Sequence, residues 1–250
     1  MQTNLLRVAS ALLAAAIVSA PVTASTQQSG IKYKIDLPPS AELSYAIKAK
    51  ESGMSLSGEG RLYWQTDAKT FSTSTETRAM LIGKIHQAHS KGVIDVHGLA
   101  PVQFTEKRFR KPENSVTFDR QEGTIRFSLS EQTYPIQGGE QDRTSAVWQL
   151  ISIARGNTAR FKEGSTWSFF VAGRNDGEPW TFKVGKQETI RTPLGNLKAV
   201  HVTRVPPADA PERRVEVWLA PSMEWYPVRL RFADNNTEYI EQTLQTIAKK

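Results

Sequence analysis

The sequence predicts a mainly β protein, a strongly curved antiparallel sheet of roughly a dozen strands forming an unclosed half-barrel around one buried α-helix. Three observations carry this. Apolar and polar residues alternate with period two through most of the chain beyond residue 40, the pattern of half-buried strands. One stretch alone, Asp142 to Arg155, changes to helical period. Turn-forming clusters separate the alternating runs at the short spacing of an antiparallel sandwich or barrel.

Composition narrows the classes. The 250 residues are 39% hydrophobic and 23% charged, with no cysteine and a formal net charge of +7. That is too apolar and too weakly charged per residue for a disordered chain. Without cysteine there is no disulfide scaffold, thiolate metal site, thiol nucleophile or lipid-modified N-terminal cysteine.

Residues 1–24 read as an export signal. Arg7 and the α-amino group form a basic start, Val8 to Val18 is an uncharged run rich in Ala and Leu, and Val22-Thr23-Ala24 places small residues where a signal peptidase reads them. Cleavage is expected after Ala24, because a cut after Ala20 would leave Pro21 first. The apolar run is far shorter than the ~20 residues a spanning helix needs, and no later stretch reaches that length. The expected location is the periplasm of a two-membrane bacterium, with secretion as second choice. Residues 25–40 are polar, contain Pro38-Pro39 and read as a leader or linker; 41–246 read as a single half-barrel domain.

The elements follow in order. Leu43, Tyr45, Ile47 and Ala49 alternate with Ser44, Ala46, Lys48 and Lys50. Leu56, Gly58, Gly60, Leu62 and Trp64 share the next face, and two inward glycines predict a bent strand or a bulge. Further strands are predicted at 70–78, 91–97, 102–110, 116–119 and 124–129, and after the helix at 166–172, 180–190, 197–204, 214–220, 228–232 and 238–244. Arg120-Gln121-Glu122-Gly123, Asn175-Asp176-Gly177 and Asp234-Asn235-Asn236 supply turns. In the helix, Val147, Leu150, Ile151 and Ala154 hold helical spacing, Trp148 and Ile153 widen the stripe, Asp142 is the expected N-cap and Gly156 the expected stop. A spanning β-barrel is disfavoured, since the predicted runs fall short of its ~10-residue strands and nearly all carry Lys or Arg.

Four blocks of residues resemble a known family. They are Ser90-Lys91-Gly92-Val93-Ile94-Asp95 with Gly98-Leu99-Ala100-Pro101, and Gln141-Asp142-Arg143-Thr144-Ser145 with Gln149-Leu150. The others are Glu188-Thr189-Ile190 with Thr192-Pro193-Leu194-Gly195, and Val217-Trp218-Leu219-Ala220-Pro221 with Tyr226-Pro227-Val228-Arg229. Their order resembles domain-of-unknown-function family 3108, exported proteins of Gram-negative bacteria. The resemblance implies a fold like the periplasmic lipoprotein carriers, an unclosed barrel with helix at its concave side. It implies no catalytic residue, and likeness of fold does not establish a shared ligand.

Motifs for chemistry are weak. His86 and His89 are three apart on a predicted strand and so face opposite ways, which does not suit a metal site. Gly53-Met54-Ser55-Leu56-Ser57-Gly58 misses the nucleophile-elbow spacing and its strand-to-helix setting. Glu216 and Glu241 are the conceivable acid pair of an envelope hydrolase. Neither a metal nor a cofactor is expected.

Charge and aromatics say more. Lys107-Arg108-Phe109-Arg110-Lys111, Arg213-Arg214 and Arg229 with Arg231 are basic clusters, and export removes nucleic acid as a partner. Phospholipid head groups, lipopolysaccharide phosphates and anionic glycans are the polyanions left. The reading is a non-enzymatic binding or carrier protein for a lipophilic or lipid-linked anionic ligand, in at most peripheral contact with a membrane. Trp64, Trp148, Trp167, Phe169, Trp180 and Trp218 are the candidate pocket residues, with Arg229 and Arg231 for the head group. The alternative is an envelope scaffold that binds a protein partner and has a filled core.

Overall fold

Connections too short for a crossover force each strand to pair with its predecessor, so alternating runs joined by tight turns become a meander. The computed structural model describes residues 30–250 apart from 52, 81, 234 and 236. The expected signal, 1–24, and its cut after Ala24 lie outside the described residues. The first half of the sheet is β1 (Ala41–Glu51), β2 (Met54–Thr66), β3 (Thr70–Ala79), β4 (Gly83–Asp95), β5 (Gly98–Arg108), β6 (Asn114–Asp119), β7 (Thr124–Phe127) and β8 (Ser130–Pro135). A short β9 (Gln141–Asp142) enters the helix α1 (Ser145–Gly156). The second half is β10 (Thr166–Ala172), β11 (Gly177–Thr192), β12 (Gly195–Arg204), β13 (Arg214–Leu219), β14 (Pro227–Ala233) and β15 (Tyr239–Lys249).

These form one 15-stranded sheet in the order β8-β7-β6-β5-β4-β3-β2-β1-β15-β14-β13-β12-β11-β10-β9. All neighbours are antiparallel except β9 and β10. The first and last strands meet mid-sheet, Ala41 opposite Lys249 and Lys50 opposite Tyr239. The two edges, β8 and β9, are adjacent in the chain, so the sheet curls until its edges approach without pairing. Over the described residues the protein is mainly β, an unclosed sheet around one α-helix.

Two strands escape the sequence pattern: β8 is a polar edge, and β9 has two residues. β4 begins at Gly83 rather than 91, because its buried positions there hold Ala88 and Ser90 instead of large apolar groups. No bulge forms at Gly58 and Gly60, where β2 keeps register with both neighbours. Gly60 instead leaves room for its neighbours, since a Cβ there would sit 3.0 Å from Gln242 Oε1 and 3.2 Å from Ile47 Cδ1. Register shifts fall elsewhere, at Ser44/Tyr45, Thr77/Arg78 and Lys91/Gly92 among others, and help the sheet to curl. Strand length does not argue against a membrane barrel, for β2 and β4 each reach 13 residues. The open edges do, since a spanning sheet must close.

The helix starts three residues later than expected. Asp142 belongs to β9, yet its Oδ1 accepts the amides of Thr144 and Ser145, both at 2.8 Å, satisfying N–H groups at the helix start. Gly156 ends the helix for a different reason than a left-handed stop. A Cβ there would meet the Lys34 carbonyl oxygen at 2.6 Å, so glycine lets residues 34–35 pass. The cap is Asn157, whose Nδ2 donates to Ile153 O at 2.9 Å. Nine of the 12 helical residues are buried, as expected of a helix enclosed on most sides. Trp148 stacks on Trp64 at 4.5 Å, and Trp64 Nε1 donates to Pro38 O at 2.9 Å. Residues 31–40 thus form a strap: Asp36 N donates to Ser152 O at 3.0 Å, and Tyr226 Oη to Pro39 O at 2.6 Å.

A polar seam holds β9 and α1 against the β4–β5 wall. Ser90 Oγ donates to Asp142 Oδ2 at 2.5 Å, and Gln141 Nε2 to Leu99 O at 2.6 Å. Gln149 spans the β4–β5 turn, accepting from Leu99 N at 2.8 Å and donating to His97 O at 2.9 Å. Gly98, at φ +109°, has no space for a Cβ beneath that amide. Farther along β5, buried Glu106 pairs with His86 at 3.0 Å, Arg108 at 3.2 Å and Arg174 of the β10–β11 turn at 3.2 Å. Burial alone raises the Glu106 pKa, but the His86 hydrogen bond and the Arg108 charge prevail and hold it down to about 2.

Two predictions follow from the seam. Gln149→Ala leaves the buried Leu99 N–H and the part-buried His97 C=O without this partner and should cost ~2 kcal/mol in urea unfolding; a loss within error would remove the seam from the account. Glu106→Gln should cost ~3 kcal/mol at pH 7. Because the folded pKa lies below the unfolded one, Glu106 stabilises fully above about pH 5 and progressively less toward pH 2. The gap between wild type and variant should therefore narrow at pH 3, and an equal gap at both pH values would contradict the ion-pair assignment.

Candidate functional site

The helix covers only part of the concave face, its contacts coming from Trp64, Leu99 and Tyr226 at the end away from the β1–β2 turn. At the other end a cross-strand row starts from buried Val215 and runs out from under the helix: Val215 lies opposite Phe232, Phe232 opposite Ile240, Ile240 opposite half-buried Ala49, and Ala49 opposite Leu56. Leu56, Phe232 and Ile240 are exposed although they stand on the inner face. They floor a cavity of about 670 Å³, a volume suited to a small ligand.

Arginines crowd its rim. Arg78, Arg108, Arg143, Arg174, Arg204 and Arg213 all line it. Arg204 takes an inward slot of β12 and is 3% exposed, its guanidinium 4.4 Å over the Trp180 ring and 2.8 Å from Glu178. Burial lowers its pKa against the pull of Glu178, and Arg143 and Arg213 push it the same way. Arg143 leaves β9 into the cavity, open to water yet walled by protein. It has no ion pair or hydrogen bond among the described residues. Removal from bulk water lowers its pKa, Glu106 and Asp176 oppose that, and Arg108 and Arg213 add to it. A bound anion would relieve this crowding of like charges.

The residues expected to line a pocket are dispersed. Trp64 and Trp148 lie in the core under the strap, and the Trp148 N–H has no partner among the described residues, so packing alone holds it. Trp167 stacks on Phe161 at 5.8 Å, and Phe169 packs on Phe182 at 5.4 Å. Trp180 alone of the expected set lines the cavity. Arg229 and Arg231 stand apart from it with Trp218. The missed residues, Arg143 and Arg204, had one signal: Arg204 continues the inward alternation of Val202, where an apolar residue is the rule.

Around Trp218 lies a saturated ladder. His201 stacks on Trp218 at 4.4 Å and meets Glu188 at 3.3 Å and Glu216 at 3.1 Å. Arg231 bridges Glu216 at 3.9 Å and Glu241 at 3.8 Å. The His201 hydrogen bond holds Glu216 below the usual carboxylate range, the reverse of what a general acid requires. His86 is taken up by Glu106, and among the described residues no three His, Asp or Glu side chains converge for a metal. Gly53 to Gly58 form the β1–β2 turn and the start of β2, with no helix following.

Comparison with solved structures supports the fold. A β-barrel-like protein of the unknown-function family DUF1849 from Brucella abortus aligns with a TM-score of 0.56 at 15% identity, over 86% of this chain and 99% of its own. Weaker likenesses carry no argument. One is an exported protein with YmcC-like fold from Bacteroides fragilis (TM-score 0.38, 9% identity, 88% and 100% covered). Another is an outer-membrane lipoprotein-sorting protein domain from Vibrio parahaemolyticus (TM-score 0.28, 7% identity, 85% and 86% covered). No curated protein sequence matches the chain. The family match spans residues 41–243, so that β1 through β14 and the start of β15 lie within it, and the chain belongs to the family of proteins of unknown function DUF3108.

Proposed function

We propose that this is an exported, non-enzymatic binding or carrier protein of the cell envelope whose open cavity takes a lipophilic molecule with an anionic head. The observation that carries the reading is the exposed inner-face set Phe232, Ile240 and Leu56 beneath a crowd of arginines. At ~0.8 kcal/mol per buried methylene, the chain of such a ligand supplies most of the affinity. The arginines orient the head, with Arg143 the readiest contact because no carboxylate holds it. A scaffold with a filled core fits less well, because it would have no reason to leave large apolar side chains bare on an inner face.

The test is binding of a fluorescent fatty acid, together with native mass spectrometry of protein recovered from cells. Phe232→Asp should weaken binding about tenfold or more by placing a charge on the floor. Arg143→Ala should weaken it about threefold to tenfold at low salt and less at high salt. Both variants should keep the wild-type unfolding midpoint. Wild-type protein that takes up neither the fatty acid nor any envelope lipid would sink the carrier reading.

A further inference from the structure

In a meander every second turn lies at the same end of the sheet, so the β1–β2, β3–β4, β5–β6 and β7–β8 turns all project from the end where the cavity opens. Each of these four turns presents a large apolar side chain to solvent. Met54 is 62% exposed and Met80 81%, with Ile82, Phe109 and Leu129 also exposed. The tips are tied together: Met80 N donates to Ser57 O at 3.2 Å, and Phe109 N to Ile85 O at 2.8 Å. Cations stand among them. Lys84 lies two residues after Ile82 and pairs with Glu76 at 2.8 Å, and Arg110 and Lys111 follow Phe109, with the Arg110 guanidinium 4.9 Å from the Phe109 ring. At the far end of the same half-sheet, Asp67-Ala68-Lys69 and Arg120-Gln121-Glu122-Gly123 make polar turns, and Val96 is the exposed large apolar residue of the β4–β5 turn.

We infer that these four tips form a docking surface for an anionic phospholipid bilayer, with the apolar side chains entering the headgroup region and the cations meeting lipid phosphates. Two features favour lipid over a protein partner. The apolar groups sit on separate tips with polar backbone between them, which a fluid headgroup layer accommodates one by one, whereas a protein interface needs a contiguous packed centre. The interleaved lysines are depleted from protein interface cores but suit an anionic surface. Leu56, Arg78 and Ile85 belong to both the tip strands and the cavity wall, so docking would turn the cavity opening toward the bilayer. The inference does not require the cavity to hold a ligand.

The absence of cysteine gives a clean test, since single cysteines can carry an environment-sensitive fluorophore. Labels at Ile82→Cys and Phe109→Cys should brighten and shift to shorter wavelength with vesicles of equal parts phosphatidylglycerol and phosphatidylethanolamine. A label at Lys69→Cys, at the opposite end, should not change. The triple variant Met80→Asp, Ile82→Asp, Phe109→Asp should lose about tenfold or more in vesicle co-sedimentation. Its unfolding midpoint and its uptake of soluble fluorescent fatty acid should match the wild type, which separates docking from the carrier reading. No response at 82 and 109, an equal response at 69, equal binding to phosphatidylcholine vesicles, or undiminished sedimentation of the triple variant would each overturn the inference.

Discussion

The polar seam between the β9–α1 junction and the β4–β5 wall is the constraint on which the rest of the architecture depends. A meander of this length has no intrinsic reason to stop curling at a given radius, since its bulges and twist set only a tendency. Gln149 and Asp142 convert that tendency into one geometry. Their hydrogen bonds are buried or part-buried and go to the Leu99 amide, the His97 carbonyl and the Ser90 side chain of a neighbouring strand. Buried polar groups carry a large penalty when unpaired, so a helix displaced by one turn would be costly as well as less well packed. Burial pushes the Asp142 carboxyl above its ordinary range while Ser90, Ser145 and Thr144 pull it back, the balance expected of a carboxylate whose position matters more than its charge.

The same seam explains why the first two family blocks lie so far apart in the chain. Ser90 and Gly98 to Pro101 supply one wall, and Gln141 to Ser145 with Gln149 supply the other. Gly92 shows the same economy of space, since a Cβ there would press on Pro101 Cα at 2.7 Å and Phe71 Cε1 at 2.8 Å. These residues have structural work to do. The arginines of the cavity rim differ in kind, because nothing in the fold requires Arg143 to lack a carboxylate partner or Arg204 to occupy an inward slot beside Trp180.

The strands with large inward side chains were legible, because period-two alternation needs only a residue type at each second position. Where small or polar residues took the inward slots, as at Ala88 and Ser90, the alternation vanished although the strand did not. The strap at 31–40 reads as linker by its polar residues, although Tyr33, Ile35 and Leu37 alternate with Lys34 and Asp36 and pack on the core; its backbone contacts, such as the Pro38 and Pro39 carbonyls, leave no mark in the side-chain pattern. The cavity was the least legible feature. Aromatic residues are the natural first choice for a pocket, but in a half-barrel they fill the space against the helix. Which inward residues stay uncovered depends on where the helix ends, a matter of three dimensions.

Lengths decide that last point. Twelve residues at about 1.5 Å each make a helix of about 18 Å. The 13 residues of β2 extend about 43 Å at about 3.3 Å each. No placement of this helix covers the inner face along the whole strand, and the seam pins it near Leu99 and Trp64, toward one end. The strap adds cover at that same end. An inner face left bare along the rest of its length would be filled with polar side chains if water were its permanent neighbour, as the outer ladder around His201 and Arg231 is. Phe232, Ile240 and Leu56 are the opposite choice, and their place beneath the arginines makes the uncovered half of the concavity the part of this fold that its stability alone does not explain.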